Sequence, residues 1–181
     1  MTIAEDPKDW TWVVRVPCAE CGMDMPGVPR AQFGALIRAA ATAWREVLTG
    51  LPDRRVRPAP AIWSPLEYGC HVRDVLRLTD YRLALMLTAD GPVFPSWNHD
   101  AAAISDRYGE QDPVAVAGAL HEAAQTVAAR LEELPGSAWH RTGTRDDGAR
   151  FTVESFARYN IHDEVHHLYD VTGIPRSRTG F

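Results

Sequence analysis

Asn160-Ile161-His162-Asp163-Glu164-Val165-His166-His167-Leu168-Tyr169-Asp170 is the stretch whose reading decides the fold of this chain. In an α-helix, residues four apart lie one above the other, so His162 and His166 aim two imidazoles at one point. That is the spacing of a metal-ligand pair. The two histidines lie on a seam, Ser155, Tyr159, His162, His166 and Tyr169, stepping by four and three as a helix does where it faces its neighbours. Pairs of histidines at this spacing also occur on solvated helices, and an open metal site calls for a third ligand.

Working outward, the third ligand is sought on a second helix. Ser64-Pro65-Leu66-Glu67 joins a capping serine, a first-turn proline and a glutamate three residues on, so a helix starts there and runs to Thr88 before Asp90-Gly91-Pro92. His71 lies two turns in, on the stripe Glu67, His71, Asp74, Leu78, Tyr81 and Leu85. Two further helices are predicted. Phe33, Leu36, Ile37, Ala40, Trp44, Val47 and Leu48 repeat at helical spacing between Pro29 and Gly50, and Asp112-Pro113 opens another helix that continues to Leu134. The histidine-bearing helix starts at Thr152 and ends by Gly173 and Pro175, and apolar residues nearly all round it mark it as buried. Residues 91–112 form a long connection with Trp97, His99 and Tyr108, read as a pocket wall or lid. In residues 136–151, Asp147-Gly148 could turn a hairpin, but a surface loop is the simpler expectation.

With 181 residues, 45% of them hydrophobic and 24% charged, the chain has the length and composition of one globular domain. A net charge of −5 and a pI of about 5.8 give no basic surface for nucleic acid or an anionic membrane. No apolar run approaches the roughly 20 residues of a membrane span, and the first residues lack the order of a signal peptide, so a cytoplasmic location is expected. Residues 1–28 form an irregular arm whose Trp10 and Trp12 are too apolar for a free tail. Its Cys18 and Cys21 have the spacing of half a zinc site, to be completed by His or Asp from elsewhere, or of a redox pair; reduced packing cysteines are the default. Residues 174–181 form a tail.

Trp63-Ser64-Pro65, His71-Val72-Arg73-Asp74 and, about ninety residues later, His162-Asp163-Glu164-Val165-His166-His167 resemble the DinB-like superfamily, which includes YfiT-like proteins and mycothiol-dependent maleylpyruvate isomerase. The resemblance covers residues 29–173, and Trp97-Asn98-His99-Asp100 with Tyr108 looks like an actinobacterial branch. It implies an all-α, up-down-down-up four-helix bundle, a divalent metal held by His71, His162 and His166, and frequent homodimers. Asp163 and His167 have the same four-residue spacing, and a shift of register would exchange one pair for the other; the seam's continuity with Tyr159 and Tyr169 favours His162 and His166. Characterised members use a low-molecular-weight thiol, mycothiol in actinobacteria.

The expected function is therefore a metal-dependent S-transferase or isomerase, in which one divalent ion (zinc, nickel or iron) activates mycothiol or a similar thiol toward a small electrophile. Trp63, Trp97, Tyr108 and Tyr159 would line the pocket, and Glu67, Asp74 or Asp163 would orient a ligand imidazole. The rival readings are a metal- or thiol-binding stress protein without turnover, and a hydrolase using metal-activated water.

Overall fold

A computed structural model describes residues 10–175; residues 1–9 of the expected arm and 176–181 of the expected tail lie outside the described residues. Four long helices, α1 (Phe33–Gly50), α2 (Pro65–Thr88), α4 (Pro113–Glu132) and α5 (Val153–Thr172), make the body, with a short helix α3 (His99–Ser105) in the connection between α2 and α4. Their starts follow from local chemistry. At α2 the Ser64 hydroxyl accepts from Glu67 N while the Glu67 carboxylate accepts from Ser64 N, a reciprocal capping box. Thr152 and Ser155 make the same exchange at α5, and Asp112 caps α4 just before Pro113. Gly173, with φ of +66°, closes α5 in the left-handed conformation that glycine adopts without strain. The first helix starts later than Pro29, because Arg30–Gln32 forms a 3-10 turn ahead of Phe33.

Side-chain pairs fix the directions of the helices. Arg38 near the start of α1 binds Glu132 at the end of α4, so these two run antiparallel. Arg130 late in α4 reaches Asp80 late in α2, and Trp44 Nε1 of α1 donates to the Glu164 carbonyl of α5 at 3.1 Å at matching depths. Those two pairs are parallel. The order is thus up-down-down-up, with α1 and α2 on one diagonal. The core between the helices holds Phe33, Ile37, Trp44, Leu48, Leu66, Leu83, Leu120 and Val127.

A small sheet closes one end. β2 (Thr142–Arg145) and β3 (Arg150–Thr152) form an antiparallel hairpin across Asp147-Gly148, with Gly148 at φ +95°, and β1 (Val93–Phe94) adds to β2 in parallel. The hairpin thus forms where a surface loop is the simpler sequence reading. A Cβ at Gly143 would lie 2.8 Å from both Met86 and Phe94, so only glycine lets β2 sit this close to α2.

The arm from Trp10 to Val28 lies on α5. Val13, Cys18, Cys21, Met23 and Met25 are buried, and Arg158 of α5 donates to the carbonyls of Met25 and Val28. On the core face of α5, Glu164 is 1% exposed and neither carboxylate oxygen has a hydrogen-bond partner among the described residues. Burial, helped by the neighbouring Asp163 charge, raises its pKa well above the usual carboxylate range. A carboxyl with a raised folded-state pKa costs stability once the pH exceeds 4.5, where the unfolded chain ionises freely. Glu164→Met, similar in length and apolar, is therefore expected to stabilise the protein by about 1–3 kcal/mol at neutral pH. The gain should shrink toward pH 4; urea denaturation across pH at matched metal content checks this, and a pH-independent difference would contradict it.

Candidate metal centres

Because α5 is covered on two sides, by α2 and by the arm, its adjacent residues face different neighbours. His162 and His166 turn to the arm. Cys18 Sγ lies 3.7 Å from His166 Nδ1, and Cys21 Sγ lies 3.6 Å from His162 Nε2. All four side chains are buried, and one ligand atom from each falls within 4.8 Å of every other. Trp10 covers the two imidazoles, its ring 4.7 Å from that of His166 and 5.7 Å from that of His162.

Asp163 and His167, one position further round the helix, face α2 and meet His71. The Asp163 carboxylate lies 3.5 Å from His71 Nε2 and 3.8 Å from His167 Nε2, and these three residues form a second group of ligand atoms within 4.8 Å. His167 Nδ1 donates to the Asp170 carboxylate at 2.8 Å, which orients the ring with Nε2 turned to the centre. Asp170 also stands 3.6 Å from His166 Nε2, so one carboxylate serves both groups.

The electrostatics suit cations. Burial lowers the pKa of His71, of His166, and of His162 to about 4, so all three rings are neutral at physiological pH, the state that binds metal. Burial alone would raise Asp163, but the His167 and His71 imidazoles hold it well below the usual range, and it stays ionised. Burial pushes the Cys21 thiol up to about 12, so it keeps its proton unless a cation takes the proton's place. Asp163 Oδ1 and His71 Nδ1 are shut off from solvent without a hydrogen-bond partner among the described residues. An orphaned carboxylate oxygen between two imidazoles is a donor set that fits a divalent ion.

The His71 group opens on a cleft of about 420 Å³. Trp97 stacks on His71 with ring centres 5.5 Å apart, Trp63 stands at 5.3 Å, and Val75 and Leu78 add apolar surface. Arg82 and Arg145 lie at the polar side. Arg82 is buried, its Nη2 bonds the Pro95 carbonyl, its Nε has no partner among the described residues, and burial together with Arg145 lowers its pKa. Arg145 is paired with the Asp147 carboxylate at 2.7 Å, so it is the unpartnered N–H of the buried Arg82 that invites an anion here.

The structure thus divides the expected three-histidine set. His162 and His166 stand together but with Cys18 and Cys21, whereas His71 stands with the alternative pair Asp163 and His167. Glu67 and Asp74 hold no imidazole: Glu67 is taken by the cap of α2 and by Arg57, and Asp74 by Arg73 and the Tyr108 hydroxyl. Trp63, Trp97 and Tyr159 line the cleft; Tyr108 is buried behind Trp63 and braces the wall. Arg82 was not among the expected site residues, and its position on α2, eleven residues after His71 and thus three turns along the same helix, is the signal that points to it.

The sequence model of the DinB superfamily matches residues 36–171, all four long helices except the first turn of α1 and the last residue of α5. The chain belongs to that superfamily. Among solved structures, YfiT from Bacillus subtilis, described as a probable metal-dependent hydrolase with an unusual four-helix bundle topology, superposes with a TM-score of 0.70 at 16% identity, over 80% of this chain and 88% of its own. At that identity the likeness is one of fold. A comparison with curated proteins gives no match. In this DinB-superfamily chain, Cys18 and Cys21 precede the matched region, and His71, Asp163 and His167 lie within it.

Removal of the carboxylate that orients His167, in Asp170→Ala, is expected to weaken zinc binding at the His71 centre by about 10- to 100-fold. Competition against a chromophoric chelator measures this; an unchanged affinity would mean that the Nδ1 contact does not hold the ligand.

Proposed function

We propose that the chain is a metal-dependent S-transferase in which His71, Asp163 and His167 hold a divalent ion beside a cleft that takes a low-molecular-weight thiol and an anionic electrophile. The observation that carries this reading is the three-ligand group with its orphaned carboxylate oxygen, opening on a cleft with stacked aromatic walls and two arginines. Mycothiol is the thiol that the resemblance to maleylpyruvate isomerase suggests. A divalent ion with three protein ligands has open positions, where it lowers the pKa of a bound thiol or water toward neutrality.

The chain's own residues supply the rest. Asp170 fixes the His167 tautomer, and Trp97, parallel to the His71 ring within 15°, limits that ring's rotation and excludes water. Arg82 and Arg145 place a carboxylate of the electrophile, while Trp63, Val75 and Leu78 accept its apolar part. His99, its ring 5.6 Å from that of His71, is the group placed to take the thiol proton. The thiol sulfur then bonds to the β-carbon of an α,β-unsaturated acid, the C=C π pair moves to the α-carbon, and that carbon takes up the proton held by His99, so no leaving group departs.

His71→Ala is expected to lower thiol-dependent consumption of an α,β-unsaturated acid by at least about a hundredfold, because the ion's charge stabilisation is worth several kcal/mol. Arg82→Met should raise KM for that acid about tenfold, a loss of about 1.4 kcal/mol, and leave a neutral electrophile unaffected. Product formed without added thiol would replace transfer by hydrolysis, the activity that the description of YfiT favours. Bound metal with neither reaction would favour the non-catalytic binder.

A further inference from the structure

The open centre accounts for His71, Asp163 and His167 but leaves unused the four buried side chains where the arm meets α5. We propose that Cys18, Cys21, His162 and His166 form a second, closed centre that takes one zinc ion and fastens the amino-terminal arm to the bundle. The claim stands on residues other than those of the open centre.

Geometry is the first argument. Bonds of about 2.3 Å to sulfur and 2.0–2.1 Å to imidazole nitrogen, at tetrahedral angles, hold sulfur and nitrogen roughly 3.6 Å apart. The two sulfur–nitrogen pairs are separated by 3.7 Å and 3.6 Å. The second argument is how the cysteines are presented. Gly22 N donates to the Cys18 carbonyl, Cys18 N donates to the Met23 carbonyl, and Gly22 sits at φ +79°, so residues 18–23 make a tight turn that faces both sulfurs to α5. A side chain at position 22 would strain that turn.

Chemistry selects the ion. Two sulfurs and two imidazoles are the ligand set of structural zinc, soft enough to exclude magnesium or calcium. No position remains for substrate. With His162 and His166 3% and 6% exposed and both cysteines buried, four protein ligands complete the tetrahedron, and binding releases the two thiol protons to solvent. The superfamily match begins at residue 36, so half of this ligand set comes from chain outside it. The zinc would hold in place the segment that carries Trp10, which lines both the 420 Å³ cleft and a neighbouring hollow of about 510 Å³ over His162 and His166.

Cobalt in place of zinc reports the site directly, because thiolate ligands give a sulfur-to-cobalt charge-transfer band that the His71 centre cannot produce. Reduced full-length protein, stripped with a chelator and titrated with cobalt, is expected to develop that band in the wild type and in His71→Ala, and to lack it in Cys18→Ser/Cys21→Ser. X-ray absorption of zinc-loaded His71→Ala should find two sulfurs at about 2.3 Å and two nitrogens at about 2.0 Å. Should the double cysteine variant fail to fold, the wild-type and His71→Ala spectra still decide. The proposal is overturned if cobalt binds the wild type without the charge-transfer band, or if Cys18 and Cys21 form a disulfide in metal-replete protein. Loss of thiol transfer with the band intact would count against the open centre's assigned reaction alone.

Discussion

Burial of most of α5 between α1, α2 and the arm is the constraint from which the rest of this structure follows. A helix in that position must find a partner on another element for each polar side chain it carries, since an unmatched buried polar group costs about 1–3 kcal/mol. His162 and His166 find the arm, and Asp163 and His167 find His71 on α2. Successive residues of a helix are turned by roughly 100°, so two chelating pairs displaced by one residue point to two different neighbours. Glu164, on the core face, is left with neither carboxylate oxygen hydrogen-bonded among the described residues.

The arrangement separates the work of the two groups by coordination. One brings two imidazoles and one carboxylate to the wall of a cleft, where a ligand can approach. The other brings two thiols and two imidazoles, all four side chains buried, together beneath Trp10. Asp170 lies between them, accepting from His167 at 2.8 Å and standing 3.6 Å from His166. The charge on that single side chain is felt at both.

Much of the bundle is legible in the sequence because its signals are local. Ser64-Pro65 with Glu67, Asp112-Pro113, Thr152 and Gly173 mark helix ends by chemistry that needs no tertiary contact. The partners of each histidine are not local. Spacing of four residues gives two candidate pairs on α5 and cannot say which one faces α2, because a helix apolar nearly all round has no single inward stripe. Of that seam, His162 and His166 face the arm, while Tyr159 packs on Phe151 and lines the cleft. Cys18 and Cys21 likewise show half a site in their spacing, while the other half lies more than 140 residues away. The small sheet escapes for a related reason: Val93–Phe94 has only two residues and owes its strand geometry to Thr144 and Arg145.

The parallel run of α2 and α4 has a consequence for how such a protein can change. Two parallel helices joined in sequence need a connection that travels back along their length, about 1.5 Å for every residue of helix passed. Residues 89–112 make that journey beside α2: Arg82 reaches to the Pro95 carbonyl, Trp97 stacks on His71, and the Tyr108 hydroxyl donates to Asp74. Topology obliges the chain to lay a strip of loop over the open centre whatever that loop contains. Its side chains can therefore drift between lineages while the helices beneath keep their register, and one bundle can present many different linings to whatever enters.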